Sequence, residues 1–309
     1  IEPGDDTAQY NLGSMYSKGI GVNKDPKEAF RYYKMSAAQG NARAYGVIAW
    51  MYYYGEGAEK NTKEAARFYK LAADKDDPDA QTTLASMYRA GDGVAQDEKK
   101  AFHYYKLASD QGNADGQYGV GWMYINGIGV EKNEKEGLRL VNIAAKQGYE
   151  SALIMLGSLY LAGHGVEKNP KEAMRYFQMA IDKNNPTAQY NLASMYYLGD
   201  GVAQDYKESF RLFKMAADQS YPPAQTYLGV HYVNGLGVDQ NYAEALRLFK
   251  LGAEKGDAYS QFSLGAMYAN GWGTEPDYNE AMRLFKLAAD QGSEPAKEAL
   301  DKLKESLGL

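Results

Sequence analysis

Two stretches of sequence decide the fold: AQYNLGSMYSKGIGV at residues 8–22 and DPKEAFRYYKMS at residues 25–36. The Gly-x-Gly pair of the first stretch returns every 36 residues, without insertion or deletion, eight times in all. The pairs are Gly19/Gly21, Gly55/Gly57, Gly91/Gly93, Gly127/Gly129, Gly163/Gly165, Gly199/Gly201, Gly235/Gly237 and Gly271/Gly273. A fixed period of this length is typical of a repeat protein rather than of ordinary globular domains.

Each repeat opens with a segment of helical periodicity. Ala8 is taken as position 1, so the repeats start at residues 8, 44, 80, 116, 152, 188, 224 and 260. Positions 1, 5, 8 and 9 are mostly apolar or aromatic, and this spacing places them on one face of an α-helix. A tyrosine occupies position 9 in every repeat and is expected in the core. Position 6 is always Gly or Ala, which lets a neighbouring helix approach closely. The glycine at position 12 predicts the helix end, because it favours the left-handed conformation.

The second half of each repeat opens with Asp or Asn at position 18, and Glu follows three residues later in seven repeats. This order predicts a second helix whose start is a capping box, in which each side chain bonds the other residue's backbone N–H. The helix should end near position 33, where five repeats have a glycine. These glycines are Gly40, Gly112, Gly148, Gly256 and Gly292.

We therefore predict an all-α solenoid of eight 36-residue helix–turn–helix repeats that forms a single repeat domain over residues 1–309. Residues 296–309 carry leucines among charged residues and predict a terminal capping helix. Gly4 stands 36 residues before Gly40, so residues 1–7 are expected to be the tail of a preceding repeat. The chain starts at Ile1 without an apolar signal segment, from which we expect a processed or trimmed start. The sequence leaves the cellular compartment and the oligomeric state open.

The repeat resembles the Sel1-like repeat, a relative of the tetratricopeptide repeat with a longer turn between its helices. Residues 8–22 and 25–36 display the motif almost complete, from Ala8 through the Gly-x-Gly turn to Asp25, Glu28 and Tyr33. The resemblance implies a right-handed superhelix whose first helices line the concave side, and a role in protein–protein interaction. Some bacterial relatives staple each repeat with a cysteine pair. This chain has no cysteine, so packing alone must stabilise it.

Composition argues against several classes of site. Without cysteine there are no disulfides, thiolate nucleophiles, zinc fingers or iron–sulfur centres. The net charge of −6 gives no general reason to expect nucleic acid as a partner. No stretch approaches about 18 uninterrupted apolar residues, so we expect no insertion into a membrane.

No catalytic constellation emerges from the motifs either. The Gly-x-Gly turns do not continue as a dinucleotide-binding fingerprint. His103, His164 and His231 occupy three different repeat positions and have no partner at helical spacing, and Ser-x-x-Lys does not occur. We expect no cofactor, no metal and no enzymatic activity.

The surface opposite the core stripe of the first helices has an unusual composition. We call the side chains at positions 3, 7 and 10 of the eight repeats the A-face. Of these 24 residues only Arg89 is charged, although 24% of the whole chain is charged. In contrast, 19 of the 24 residues at positions 20, 24 and 27 of the second helices are Lys or Arg. We interpret this second stripe as solvated side chains with acidic neighbours at position 31.

Large rings gather on and beside the A-face, and ring enrichment with charge depletion is typical of the core of an interface. We predict that a protein or peptide ligand binds there, centred on repeats 2 to 4. The predicted contacts are Trp50, Tyr53, Tyr54, Arg89, Tyr118 and Trp122, together with Tyr190 and Tyr197 in repeat 6. Asn11 and Asn191 at position 4 are candidates for hydrogen bonds to an extended peptide backbone.

Several alternatives stay open at this point. The rings could pack against the next first helix rather than face a partner. The same surface could belong to a bacterial inhibitor or immunity-type protein that clamps a toxin or an enzyme. The unbroken register is also compatible with an engineered repeat protein, and an enzyme is a further alternative.

Overall fold

A computed structural model describes residues 5–309, so the expectation about Gly4 lies outside the described residues. Within residues 5–309 the chain forms seventeen α-helices and no strand, as predicted. The helices are α1 Asp6–Lys18, α2 Pro26–Ala38, α3 Ala42–Tyr54, α4 Thr62–Ala73, α5 Pro78–Ala90, α6 Glu98–Asp110, α7 Ala114–Asn126, α8 Glu134–Lys146, α9 Glu150–Ala162, α10 Pro170–Ile181, α11 Pro186–Leu198, α12 Tyr206–Asp218, α13 Pro222–Asn234, α14 Tyr242–Glu254, α15 Ala258–Asn270, α16 Tyr278–Asp290 and α17 Glu294–Leu307.

The described residues fall into two compact units, the first ending at Ala152 and the second running from Leu153 to Leu309. In the first unit, the two helices of each repeat pack together, and each second helix packs on the first helix of the next repeat, from α1 to α8. The second unit repeats this succession from α10 to α16, and the predicted capping helix α17 packs on α16.

The first glycine of each Gly-x-Gly pair ends the first helix, as predicted. In α1 the N–H of Gly19 bonds the carbonyl of Met15, and Gly19 has a φ of 70°. The equivalent glycine of every repeat has a φ between 64° and 77°. A side chain at this position would be strained by its own backbone conformation.

The second glycine of the pair makes a contact that the repeat pattern does not predict. Gly57 has a φ of 75°, and a Cβ there would clash with the carbonyl oxygen of Pro26, the first residue of α2. The same clash, with the first carbonyl of the preceding second helix, would occur at Gly93, Gly129 and Gly237. The turn of one repeat therefore sits directly on the helix start of the repeat before it.

The second helix starts at the predicted Asp or Asn, but only half of the capping box forms. In all eight repeats the side chain at position 18 accepts the N–H three residues on, as Asp25 does from Glu28 at 3.1 Å. The backbone N–H of Asp25 donates instead to the carbonyl of Tyr16, at 2.9 Å, and the equivalent bond recurs in all repeats. The reciprocal part of the prediction was therefore wrong.

The glutamate that was expected to complete the capping box forms an ion pair. Glu28 binds Arg31 at 2.7 Å, and seven repeats have the same pair three residues apart. Lysines at position 27 bind aspartates at position 31, as Lys70 binds Asp74 at 2.7 Å. The arginines of the basic stripe and three of its lysines are thus paired within their own helix, and each exposed pair contributes only about 0.2–1 kcal/mol.

Small residues at position 6 allow the two helices of a repeat to approach closely, as predicted. A Cβ at Gly229 would lie 2.7 Å from the ring of Phe249, which is buried in the second unit. The position-9 tyrosines differ from the prediction because they lie half-buried at the edge of the core. Tyr160, for example, stacks on Tyr176 of the second helix with ring centroids 5.7 Å apart.

All eight residues at position 33 adopt a left-handed conformation after the second helix. Five are the predicted glycines, and the other three are Asp76, Asn184 and Ser220, with φ between 60° and 63°. Asp and Asn tolerate this region better than other residues with a side chain.

One junction in the second unit has a buried polar pair at two positions where most repeats have methionine and alanine. His231 at position 8 is fully buried and meets Ser209 of the preceding repeat. Its Nδ1 lies 2.6 Å from the carbonyl oxygen of Leu236 and therefore carries the proton, so that Nε2 accepts from the Ser209 hydroxyl at 3.2 Å. Burial among aromatic rings lowers the pKa of His231.

The turn contact predicts unequal effects of two glycine substitutions. Gly40 has a φ of 90° but open space around it, so Gly40→Ala should lower the free energy of unfolding by about 1–2 kcal/mol from backbone strain alone. Gly57→Ala adds overpacking and should cost about 2–5 kcal/mol. Urea unfolding followed by circular dichroism measures both, and equal losses would refute the proposed role of the Pro26 contact.

The buried histidine predicts that acid destabilises the protein. The unfolded chain protonates His231 near pH 6.5, whereas the folded chain does so only at lower pH. This part of the stability is therefore complete above pH 6.5 and is lost as the pH falls below it, by at most about 1.4 kcal/mol per pH unit. Ser209→Ala/His231→Met, which introduces the residues that most repeats have at these positions, should flatten the stability curve between pH 7.5 and 5.5. An unchanged slope in urea titrations would contradict this assignment.

Candidate functional site

The predicted contact residues of the first unit form two clusters rather than one. The first lies at the end of α3 and contains Trp50, Tyr53 and Tyr54, which we call the Trp50 cluster. The ring centroids of Trp50 and Tyr54 are 5.0 Å apart, and those of Tyr53 and Tyr54 are 5.1 Å apart. Trp50 is 42% exposed and Tyr54 is 63% exposed, so neither ring is sealed inside the fold.

Tyr53 anchors this cluster to the following repeat. The nearby carboxylate of Asp92 raises the pKa of Tyr53, because ionisation would bring two negative charges together. The Nζ of Lys60 lies 5.9 Å from the centroid of the same ring. The half-buried Tyr53 is thus held in place beside its two exposed neighbours.

The second cluster surrounds a cavity of about 330 Å³, which we call the Arg89 pocket. It is lined by Ser86, Arg89, Tyr105, Asp115, Tyr118, Gly119, Trp122 and Tyr149. The guanidinium of Arg89 lies 5.0 Å from the ring centroid of the half-buried Trp122. Arg89 forms no ion pair with any other residue of the described chain. The structure thus brings three predicted residues together, namely Arg89, Tyr118 and Trp122.

Most polar groups of the Arg89 pocket already have partners. Tyr149 donates its hydroxyl proton to Asp115 at 2.6 Å, and burial together with this carboxylate raises the pKa of Tyr149. The hydroxyls of Ser86 and Tyr105 share a hydrogen bond of 2.7 Å. Tyr118 is half-buried, its pKa is raised by burial, and its hydroxyl has no hydrogen bond to another residue in 5–309.

A third cluster, in the second unit, contains the predicted Tyr190, Asn191 and Tyr197. These residues line a cavity of about 530 Å³ together with Ser158, Leu161, Ala162, Lys168, Phe177, Ser194, Met195, Leu198, Asp200 and Tyr227. Tyr227 lies between the two tyrosines, with ring centroids 5.8 Å from Tyr190 and 5.7 Å from Tyr197. The half-buried amide of Asn191 makes no hydrogen bond within the described chain.

Asn11 belongs to none of these clusters. It is exposed on α1 and lines neither of the two cavities. It therefore stays an isolated candidate.

Four tyrosines of the clusters were not predicted from the sequence, and two of these, Tyr149 and Tyr221, interrupt the repeat pattern. Both stand at position 34, where most repeats have an Asp or Asn that caps the next first helix. Tyr149 places its ring 5.3 Å from Tyr118, and Tyr221 places its ring 5.6 Å from Tyr190. Tyr221 makes no side-chain hydrogen bond as a helix cap. The replacement of the usual Asp or Asn by tyrosine at position 34 could have identified both residues from the sequence.

The structure contains no group of acidic and histidine side chains that resembles a metal site, as far as residues 5–309 are concerned. Over the same range, every helix is too short or too polar to cross a membrane.

Helix pairs that recur every 36 residues around a left-handed glycine turn define a helical repeat protein. The Sel1 repeat matches residues 6–41, 42–77, 78–113, 114–149, 150–185, 186–221, 222–257 and 258–293. The chain belongs to the Sel1 repeat family. Proteins of this family typically mediate protein–protein interaction and are generally scaffolds without enzymatic activity.

Solved structures of Sel1 repeat proteins are similar over nearly the whole chain. The protective antigen c5321 of uropathogenic Escherichia coli is 32% identical, with a TM-score of 0.78 over 99% of this chain. The present chain spans 66% of the length of that antigen. A Sel1 repeat protein from Oxalobacter formigenes is 29% identical, with a TM-score of 0.69 over 97% of this chain and 87% of its own. Yeast Tom70 shares the fold alone, at 14% identity and a TM-score of 0.53 over 99% of this chain and 66% of its own. No curated protein sequence matches the chain.

Proposed function

We propose that this protein is a non-enzymatic scaffold that binds a peptide or a segment of another protein on the A-face and its adjoining rings. This is the surface expected to line a concave groove. One observation carries the proposal. Arg89 is the only charged residue among the 24 residues of the A-face, and the rings of Trp50 on this face and Tyr54 beside it are exposed. A surface without charges but with exposed rings loses little hydration energy when a partner covers it.

The Trp50 cluster has the properties of an interface hot spot. Tryptophan and tyrosine contribute much of the binding energy at protein interfaces, and they lose few side-chain rotamers on binding. Covering one exposed ring contributes about 1.5–3 kcal/mol. Because the Tyr53 ring packs against Tyr54 and lies beside Lys60, part of the cluster is ordered before a partner arrives.

The cavity of the second unit supports a segment of polypeptide as the ligand. Its lining combines rings with the free amide of Asn191, which offers one donor group and one acceptor group side by side. A peptide bond presents the complementary acceptor and donor. Rings for side chains and an amide for the backbone are what an extended segment requires.

Removal of the exposed rings should abolish partner binding. We expect Trp50→Ala/Tyr54→Ala to weaken binding at least about tenfold, since the loss of two covered rings exceeds about 1.4 kcal/mol. Proteins retained from a lysate of the source organism by immobilised wild-type protein are identified by mass spectrometry, purified, and titrated against both proteins.

The matched control is Trp272→Ala/Tyr278→Ala, which removes one tryptophan and one tyrosine that are 37% and 45% exposed outside the A-face. This control should bind the same partners with unchanged affinity. Circular dichroism must show equal helicity in all three proteins. The proposal fails if the Trp50→Ala/Tyr54→Ala protein binds every partner as tightly as the wild type does.

A further inference from the structure

Arg89 differs from nearly all other arginines of the chain in having no acidic partner. Seven of the nine arginines form an ion pair with a glutamate of the same helix. The two exceptions among the described residues are Arg43 and Arg89. Arg43 lies in the first turn of α3 and lines neither of the cavities at the A-face, whereas Arg89 lines the Arg89 pocket.

The guanidinium of Arg89 is held in position although it lacks a counter-ion. It lies 5.0 Å from the ring centroid of Trp122, a geometry in which a cation is attracted to an aromatic face. An arginine that is stacked in this way keeps its N–H donors free at the edge of the guanidinium plane. Those donors match the two oxygens of a carboxylate.

A second free donor lines the same pocket. Tyr118 is half-buried, its hydroxyl has no partner in the described chain, and it lines the same cavity as Arg89. The other hydroxyls, of Tyr105 and Tyr149, are already bonded to Ser86 and Asp115. The N–H donors of Arg89 and the hydroxyl of Tyr118 are thus the donors of the pocket that have no acceptor among the described residues.

The charges of the pocket favour a ligand with one negative charge over a ligand with two. Asp115 lines the same cavity, and its Oδ1 accepts from Tyr149 at 2.6 Å. A doubly charged phosphate would face this carboxylate with only one cation to compensate for the repulsion. A carboxylate has one charge, which Arg89 can neutralise.

We propose that the Arg89 pocket binds the side-chain carboxylate of an aspartate or glutamate in the segment that occupies the A-face. The carboxylate accepts hydrogen bonds from the guanidinium of Arg89 and the hydroxyl of Tyr118, and its methylene stem lies against the rings of the pocket. A cavity of about 330 Å³ accommodates one such side chain. This inference rests on the proposed function and specifies the chemistry of the partner.

The test is a peptide selection on the full chain. Random 12-residue peptides, displayed with both ends fused so that no chain terminus is free, are selected on immobilised wild-type protein and on the Arg89→Gln variant. The matched control is Arg43→Gln, which removes the same charge from the other unpaired arginine. Enriched peptides are synthesised with amidated C-termini, so that only a side chain supplies a carboxylate.

We expect the wild type and Arg43→Gln to enrich peptides with an acidic residue at one fixed position, and Arg89→Gln to lose this preference. Replacing that acid by its amide should weaken binding to the wild type about tenfold and to Arg89→Gln less than twofold. Enriched peptides that depend on Trp50 and Tyr54 but show no acidic preference would overturn the inference and leave the proposed function standing. The same acidic preference in the Arg89→Gln selection would also overturn it. No enrichment on any variant would overturn the inference together with the proposed function.

Discussion

The close approach of a turn glycine to the first carbonyl of the preceding second helix constrains how successive repeats pack at four junctions. The contact between Gly57 and Pro26 joins backbone to backbone and leaves no space for a side chain. A second backbone contact, from the N–H of Asp25 to the carbonyl of Tyr16, fixes the two helices within one repeat. Because both contacts use main-chain atoms, the spacing of the helices does not depend on the residues of the A-face. Those residues can vary from repeat to repeat on a constant framework, and they do.

Much of the fold could be predicted from the sequence because its determinants are local. Helix ends, helix caps and the close approach at position 6 depend on residue types within one or two turns, which the 36-residue period displays eight times. The partner of the Asp25 N–H could not be predicted. It is the backbone carbonyl of Tyr16 on the other side of the turn, and because every residue has a backbone carbonyl, no residue type in the sequence indicates it. Helical spacing also predicts which face of a helix points to the core, but it does not predict how deeply each residue of that face is buried. The position of Tyr160 at the edge of the core could therefore not be predicted.

The residue types of the candidate site could be predicted from the sequence, but the clusters that these residues form could not. Charge depletion and ring enrichment on the A-face are properties of a sequence pattern. The placement of Arg89 over Trp122 depends on how α5 and α7 of successive repeats lie together, and no spacing rule within one repeat contains this information. Tyr149 and Tyr221 were visible as breaks in the pattern at position 34. In both cases a residue that would favour a helix start is replaced by one that contributes a ring to a cluster. Residues that depart from the repeat pattern therefore deserve as much weight as those that conform to it.

The ion pairs of the second helices have a consequence for how such a chain can change in length. In seven repeats the arginine at position 24 finds its glutamate within the same helix, as Arg31 finds Glu28. Duplication or loss of a whole repeat adds or removes both members of the pair, so no uncompensated charge is left behind. For this arginine–glutamate pair, the number of repeats can therefore change without altering the charge balance of the neighbouring repeats.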